Sequence, residues 1–164
     1  MMKLIKLQLI LPKGQIFLEY TYIVTAILAI LVWFMPKRMK RSDMLVIWIF
    51  VSYIEIVVDL FLGHLVGLYY FVGETQISPE ALGLKLIMSP LFGIIFINFM
   101  PKKFLHFIPY WLVWVIISTV FEWTTVLSGY LTYSEWKLWY SFLFYIVAIP
   151  VTRWFYYYVK ADHP

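Results

Sequence analysis

The chain has 164 residues, of which 63% are hydrophobic and only 13% charged, with a formal net charge of +4 and a mean hydropathy of +0.85. Soluble domains carry about a quarter charged residues, so this composition excludes an ordinary water-facing surface and makes lipid the solvent. The excess of basic residues sits in short loops between apolar runs, where it sets membrane orientation and does not mark a nucleic-acid binder; the absence of cysteine excludes disulfides, thiol catalysis and thiolate-bound metal.

The opening stretch MMKLIKLQLILPKGQ resembles a secretory leader, but its apolar run is short, Pro12 interrupts it, and no small-residue cleavage site follows. It reads as a retained segment lying in the membrane interface, with Lys3, Lys6 and Lys13 near headgroups. Five runs then approach or reach the roughly 20 residues that a spanning helix needs. They cover about 16–35, 44–62 with an extension as far as 72, 83–100, 104–128 and 138–158. MPKRMKRSD, GETQISPEA, MPKKF and GYLTYSEWK break them. The expected architecture is all-α, a polytopic five-transmembrane-helix bundle forming a single domain over 1–164.

Lysine and arginine decide the orientation. One side collects Lys37, Arg38, Lys40, Arg41, Lys102, Lys103, Arg153 and Lys160; the other collects Lys85, Lys137 and the N-terminal lysines. The heavier side is expected in the cytoplasm, which puts the C-terminus inside and the N-terminus outside a bacterial plasma membrane. Trp136, Trp139, Tyr133 and Tyr140 suit an outer aromatic belt, and RWFYYYVK an inner one.

The second run contains EIVVDLFLGH, two acids and a histidine among lipid-facing residues. Residues three and four apart share a helix face, so Ser52, Glu55, Asp59, Gly63, Gly67 and Tyr70 form one stripe. The G-x-x-x-G spacing of Gly63 and Gly67 predicts close approach by another helix. The fourth run has a matching stripe of Ser118, Glu122, Thr125, Gly129 and Thr132. At about 1.5 Å per residue, Asp59 and Glu122 come to similar depth, which predicts that they meet and share a proton. Intramembrane acids face a bundle interior or a cavity. Glu55, Asp59, His64 and Glu122 are therefore the candidates for binding a proton, a cation or an amine, although helix-to-helix hydrogen bonding would explain the acids too, and His64 also suits an interfacial ring. Arg153 is expected to snorkel to the interface, with an ion pair to Glu55 as the alternative.

The second and third runs form one hairpin, the fourth and fifth another. Each has an acid in its first helix (Asp59, Glu122), a Gly/Tyr-rich exit (GLYYF, GYLTY) and a proline in its return helix (Pro90, Pro150). Apolar helices share composition in any case, so chance similarity is the default reading of this repeat.

No Walker, dinucleotide, G-x-S-x-G or H-E-x-x-H motif is present, and the three histidines are dispersed. No metal site, cofactor or enzymatic activity is expected. SPLFGIIFINFMPKK and FEWTTVLSGYLTYSEWKLWYSFLFYIVAIPVTRW, with the basic MPKR after the first run and an acid before GLYY, resemble an uncharacterised family of small multi-pass membrane proteins of Bacillus- and Clostridium-type bacteria. The family resemblance implies the membrane fold and carries no catalytic role. The expected function is non-enzymatic, that of a membrane binding or sensory protein or a complex subunit. Its partners would be the bilayer and a second copy or another membrane protein. The alternative is a small proton- or cation-coupled transporter using the acids.

Overall fold

The computed structural model describes residues 13–71 and 79–161. Helix α1 covers Lys13–Phe34 and α2 Arg41–Val58; a π-helical turn, Asp59–Leu65, continues α2. Strand β1 (Tyr69–Phe71), α3 (Pro79–Phe99), α4 (Phe104–Leu127), β2 (Leu131–Tyr133) and α5 (Leu138–Ala161) follow. Among the described residues four helical stretches are long and apolar enough to cross a membrane: α2 with its π-turn, α3 from Leu82, α4 and α5. The apolar part of α1, Glu19–Phe34, is shorter. Large apolar side chains such as Ile49, Ile116 and Val147 point outward and exposed, as hydrocarbon solvent permits. The N-terminal stretch read as interfacial lies, up to residue 12, outside the described residues.

The second run does not continue as helix to residue 72. It stops at Leu65, and two residues later Gly67 takes φ +76°. That left-handed conformation crowds the Cβ of any L side chain, so glycine serves it. The chain then leaves the helix axis and becomes extended.

Helix α3 is central. It packs on α2 and, from its other side, on α1, where Leu28 meets Met88 and Leu91. The close approach between helices is made at Gly93, where an added Cβ would lie 2.8 Å from Val51 Cγ2. The Gly63 and Gly67 spacing is not such a seam. A Cβ at Gly63 would meet the ring of Tyr69, 2.9 Å away, and at Gly67 it would meet nothing within 4 Å. Gly63 thus makes room for the returning strand, and Gly67 is a turn residue. At the basic end, buried Asn98 accepts from Arg38 N (2.9 Å) and donates to Pro36 O (3.0 Å), tying the α1–α2 loop to α3.

The two hairpins share a set of positions at nearly constant steps. Helices α2 and α4 begin at Arg41 and Phe104, each after an extended lysine, Lys40 or Lys103. The same step of 63 residues relates Trp48 to Trp111 and Asp59 to Glu122. It becomes 62 between Gly67 and Gly129 (φ +79°). The π-turn accounts for the difference, because its i→i+5 bonds, such as Val66 N to Phe61 O at 3.0 Å, hold one residue more per turn. Each glycine is followed two residues on by a strand. The strands pair antiparallel, Tyr69 opposite Tyr133, Tyr70 opposite Thr132 and Phe71 opposite Leu131. Tyr70 and Thr132 are themselves equivalent positions, so the ladder is centred on an equivalent pair and maps onto itself by a half-turn. A common composition of apolar helices explains none of this register. The internal repeat is therefore structural, and the chance reading is set aside. Helix α1 stands outside it, held to α4 by a hydrogen bond of 2.5 Å between Tyr20 Oη and Thr124 Oγ1.

Candidate binding cavity

A cavity of about 230 Å³ lies among α2, α3, α4 and α5. Helices α2 and α4 rise from the basic end toward the sheet, whereas α3 and α5 descend. Chain order therefore grades the wall. Toward the sheet it is lined by Glu55, Asp59, Lys85, Ser89, Glu122 and Tyr145. Toward the basic end it is lined by Phe50, Phe92, Phe96, Trp114 and Ile149. From Lys85 to Phe96 along α3 is about 16 Å at 1.5 Å per residue.

The two equivalent acids have unlike partners. Asp59 is ion-paired with Lys85 through Oδ2 and accepts from Tyr69 Oη at 2.9 Å through Oδ1. Lys85 is 6% exposed, and its Nζ lies 3.1 Å from the centre of the Phe71 ring. A lysine so enclosed needs its carboxylate, and the ring face adds cation–π attraction. Lys85 thus belongs to the bundle interior, whereas the sequence reading counted it only in the charge balance of that side.

Among the described residues Glu122 is held without a cation. Its Oε1 accepts from Tyr133 Oη at 2.5 Å and from Ser141 Oγ; its Oε2 accepts from Tyr145 Oη at 2.7 Å. Trp136 Nε1, which can only donate, bonds Ser141 Oγ at 2.7 Å. The Ser141 proton is thereby directed at Glu122. Three hydroxyl donors thus converge on its carboxyl group. Tyr69 and Tyr133 remain protonated donors. Burial pushes both phenols well above the ordinary tyrosine range, and the neighbouring carboxylate, Asp59 or Glu122, pushes further.

Both acids expected to meet from matched depth line this cavity, but among the described residues no hydrogen bond joins Asp59 to Glu122, and each has its own donors. Glu55, a turn below Asp59, lines the cavity with Ser89 as its hydrogen-bonding neighbour and takes part in no ion pair among the described residues. His64 is not part of this arrangement. The π-turn carries it on the exposed outer side, away from the cavity wall. Arg153 does not reach Glu55 either. Its guanidinium lies over Phe107, 4.1 Å from the ring centre, and between Phe104 and Tyr157 at 5.4 and 5.2 Å. Flat aromatic faces suit a weakly hydrated guanidinium.

The sequence reading found the acids and missed Lys85, Tyr133, Ser141 and Tyr145. A signal for the first was available. Lys85, Ser89 and Phe92 are spaced as one face of a helix, and all three line the cavity. Among the described residues no group of three or more His, Cys, Asp and Glu could hold a metal ion. Comparison with family models, with curated proteins and with solved structures found no match.

Proposed function

We propose that this is a non-enzymatic membrane binding protein whose cavity takes a small amphiphile, polar head toward the sheet and apolar body toward the basic end. The observation that carries the reading is the graded wall: polar and charged groups, most of them part-buried, converge at one end of a cavity whose other end is mostly apolar. Ligand sites have this composition, mostly apolar with a few placed polar groups. In this reading α1 is a fifth span, the basic loops face the cytoplasm of a bacterial cell, and the N-terminus lies outside. Moving Lys85 into the bundle leaves Lys137 as the one described basic residue in the sheet-end loops, which sharpens the charge asymmetry behind that orientation. The bilayer is its medium; a sensory role would be completed by a second copy or another membrane protein.

The test is extraction. Protein purified from its own membranes in mild detergent should release a compound into organic solvent that Ala148→Phe, which fills the cavity wall, no longer retains. Identical extracts from the two proteins, both folded, would count against a ligand in this cavity. A second reading, a proton- or cation-coupled transporter, is favoured by the repeated hairpins around a central polar site, an arrangement that transporters use. Proton-driven flux of a cation into proteoliposomes, lost in Glu55→Gln, would select it.

A further inference from the structure

The internal repeat allows one half of the site to be compared with the other. In the first hairpin the acid, Asp59, is neutralised by Lys85 from the return helix. A step of 60 residues relates Pro90 to Pro150 and carries Lys85 onto Tyr145. The equivalence is one of contact as well as of spacing, because Tyr145 reaches Glu122 from α5 as Lys85 reaches Asp59 from α3. The second half therefore has the acid and the position, but a phenol where the first half has an ammonium. Glu55 adds a further carboxyl to the same cavity. Three carboxyls and one lysine line the space.

Acceptor capacity points the same way. A carboxylate oxygen accepts about two hydrogen bonds. Oε1 of Glu122 has two donors, Tyr133 and Ser141, whereas Oε2 has one, Tyr145. Among the described residues, Oε2 is thus the oxygen with room for a further donor. Phe92, Phe96 and Trp114, toward the basic end, line the part of the cavity that would take an apolar body.

Resting on the binding reading above, we infer that the ligand of this cavity is an amphiphilic amine whose ammonium group supplies to Glu122 and Glu55 the charge that Lys85 supplies to Asp59. A neutral head would leave the second acid without a counter-charge in a low-dielectric site, and an anionic head would add to the imbalance. The ammonium has three N–H donors, enough for Oε2 of Glu122 and the carboxyl of Glu55 together.

The test compares 2-phenylethylammonium with 2-phenylethanol, of the same shape and without charge, on the full chain in mild detergent at neutral pH. Binding is read by calorimetry and by the shift of the unfolding midpoint. The ammonium should bind at least tenfold more tightly than the alcohol. Tyr145→Lys places a tethered ammonium at Glu122 and should abolish that preference; Glu122→Gln should reduce it at least tenfold by removing the charge. Should Tyr145→Lys fail to fold, Glu122→Gln and Glu55→Gln decide the matter. Equal affinity of amine and alcohol for the unmodified chain would overturn the cationic head and leave the cavity reading standing. An ammonium preference unchanged in a folded Tyr145→Lys or Glu122→Gln would overturn its placement. Binding of neither compound would overturn this inference, and the extraction experiment separately decides whether the cavity holds a ligand at all.

Discussion

A lysine with 6% exposure in an apolar helix is stable only through its partner. Removing one member of a buried pair leaves an uncompensated charge and costs about 3 kcal/mol or more. Lys85→Met is therefore expected to lower stability by about 3 kcal/mol, and Asp59→Asn together with Lys85→Met to recover most of the loss, as a double-mutant cycle in detergent would show. Equal losses in single and double variants would mean that the pair is not the source. The tyrosines give a pH dependence of definite sign. Tyr69 and Tyr133 hold their protons in the folded protein beyond the ordinary value of about 10. Above that pH the unfolded chain has lost protons that the folded chain keeps, so stability falls as pH rises. It should be insensitive to these groups near neutrality and decline above about pH 10, with Tyr69→Phe showing a shallower decline. At this scale the sequence revealed the acids because charges are conspicuous in apolar runs. Their partners were less visible: Tyr and Ser also belong to interfacial belts, and Lys85, near the end of its run, entered only the charge count of that side.

The π-turn is the element that sequence reading misses most completely. Its residues, DLFLGHL, continue the helical pattern, and one additional residue within it changes no hydropathy signal. Its effect is to keep Asp59 and Gly67 in the positions that Glu122 and Gly129 occupy with one residue fewer between them. Deleting exposed Leu60 should allow the turn to close into ordinary α-helix and leave a folded protein. Deleting exposed Trp123 from α4, where no π-turn absorbs the change, would rotate the helix end by about 100° and should abolish folding. Far-UV circular dichroism and elution as a monodisperse species in detergent distinguish the two, and equal tolerance would mean that the π-turn is not a stored insertion. The G-x-x-x-G spacing shows the opposite error. A glycine needed for φ +76° and a glycine needed for helix contact are identical in sequence, and only geometry separates Gly67 from Gly93. The three-residue strands were illegible because so short a ladder shows no period of its own; the Gly/Tyr-rich exits were visible only as irregular segments.

For the whole molecule, hydropathy alone delivered a helical membrane protein, and helix limits within a few residues of those observed except in the second run. Orientation is the remaining test at this scale. With Lys40 and Lys102 on the heavier basic side, cysteines placed there should resist an impermeant thiol reagent in intact cells, and one placed at Glu135 should react. The reverse pattern would invert the protein and place the polar end of the cavity in the inner leaflet. The repeat was half legible: paired acids, glycines and prolines suggested it, but a faint similarity between apolar helices has no weight until a register supports it.

A ladder that maps onto itself by a half-turn is the contact that two identical chains make across a twofold axis. The register of Tyr70 against Thr132 thus gives the two hairpins, fused through the loop before α4, the arrangement of a homodimer within one chain. Fusion has a chemical consequence that symmetry forbids. In a homodimer, a lysine at the position of Lys85 occurs twice and neutralises both acids, whereas a tyrosine there occurs twice and neutralises neither. Two unlike halves in one chain remove that constraint: one carboxylate keeps an internal cation, and among the described residues its counterpart has hydroxyl donors alone.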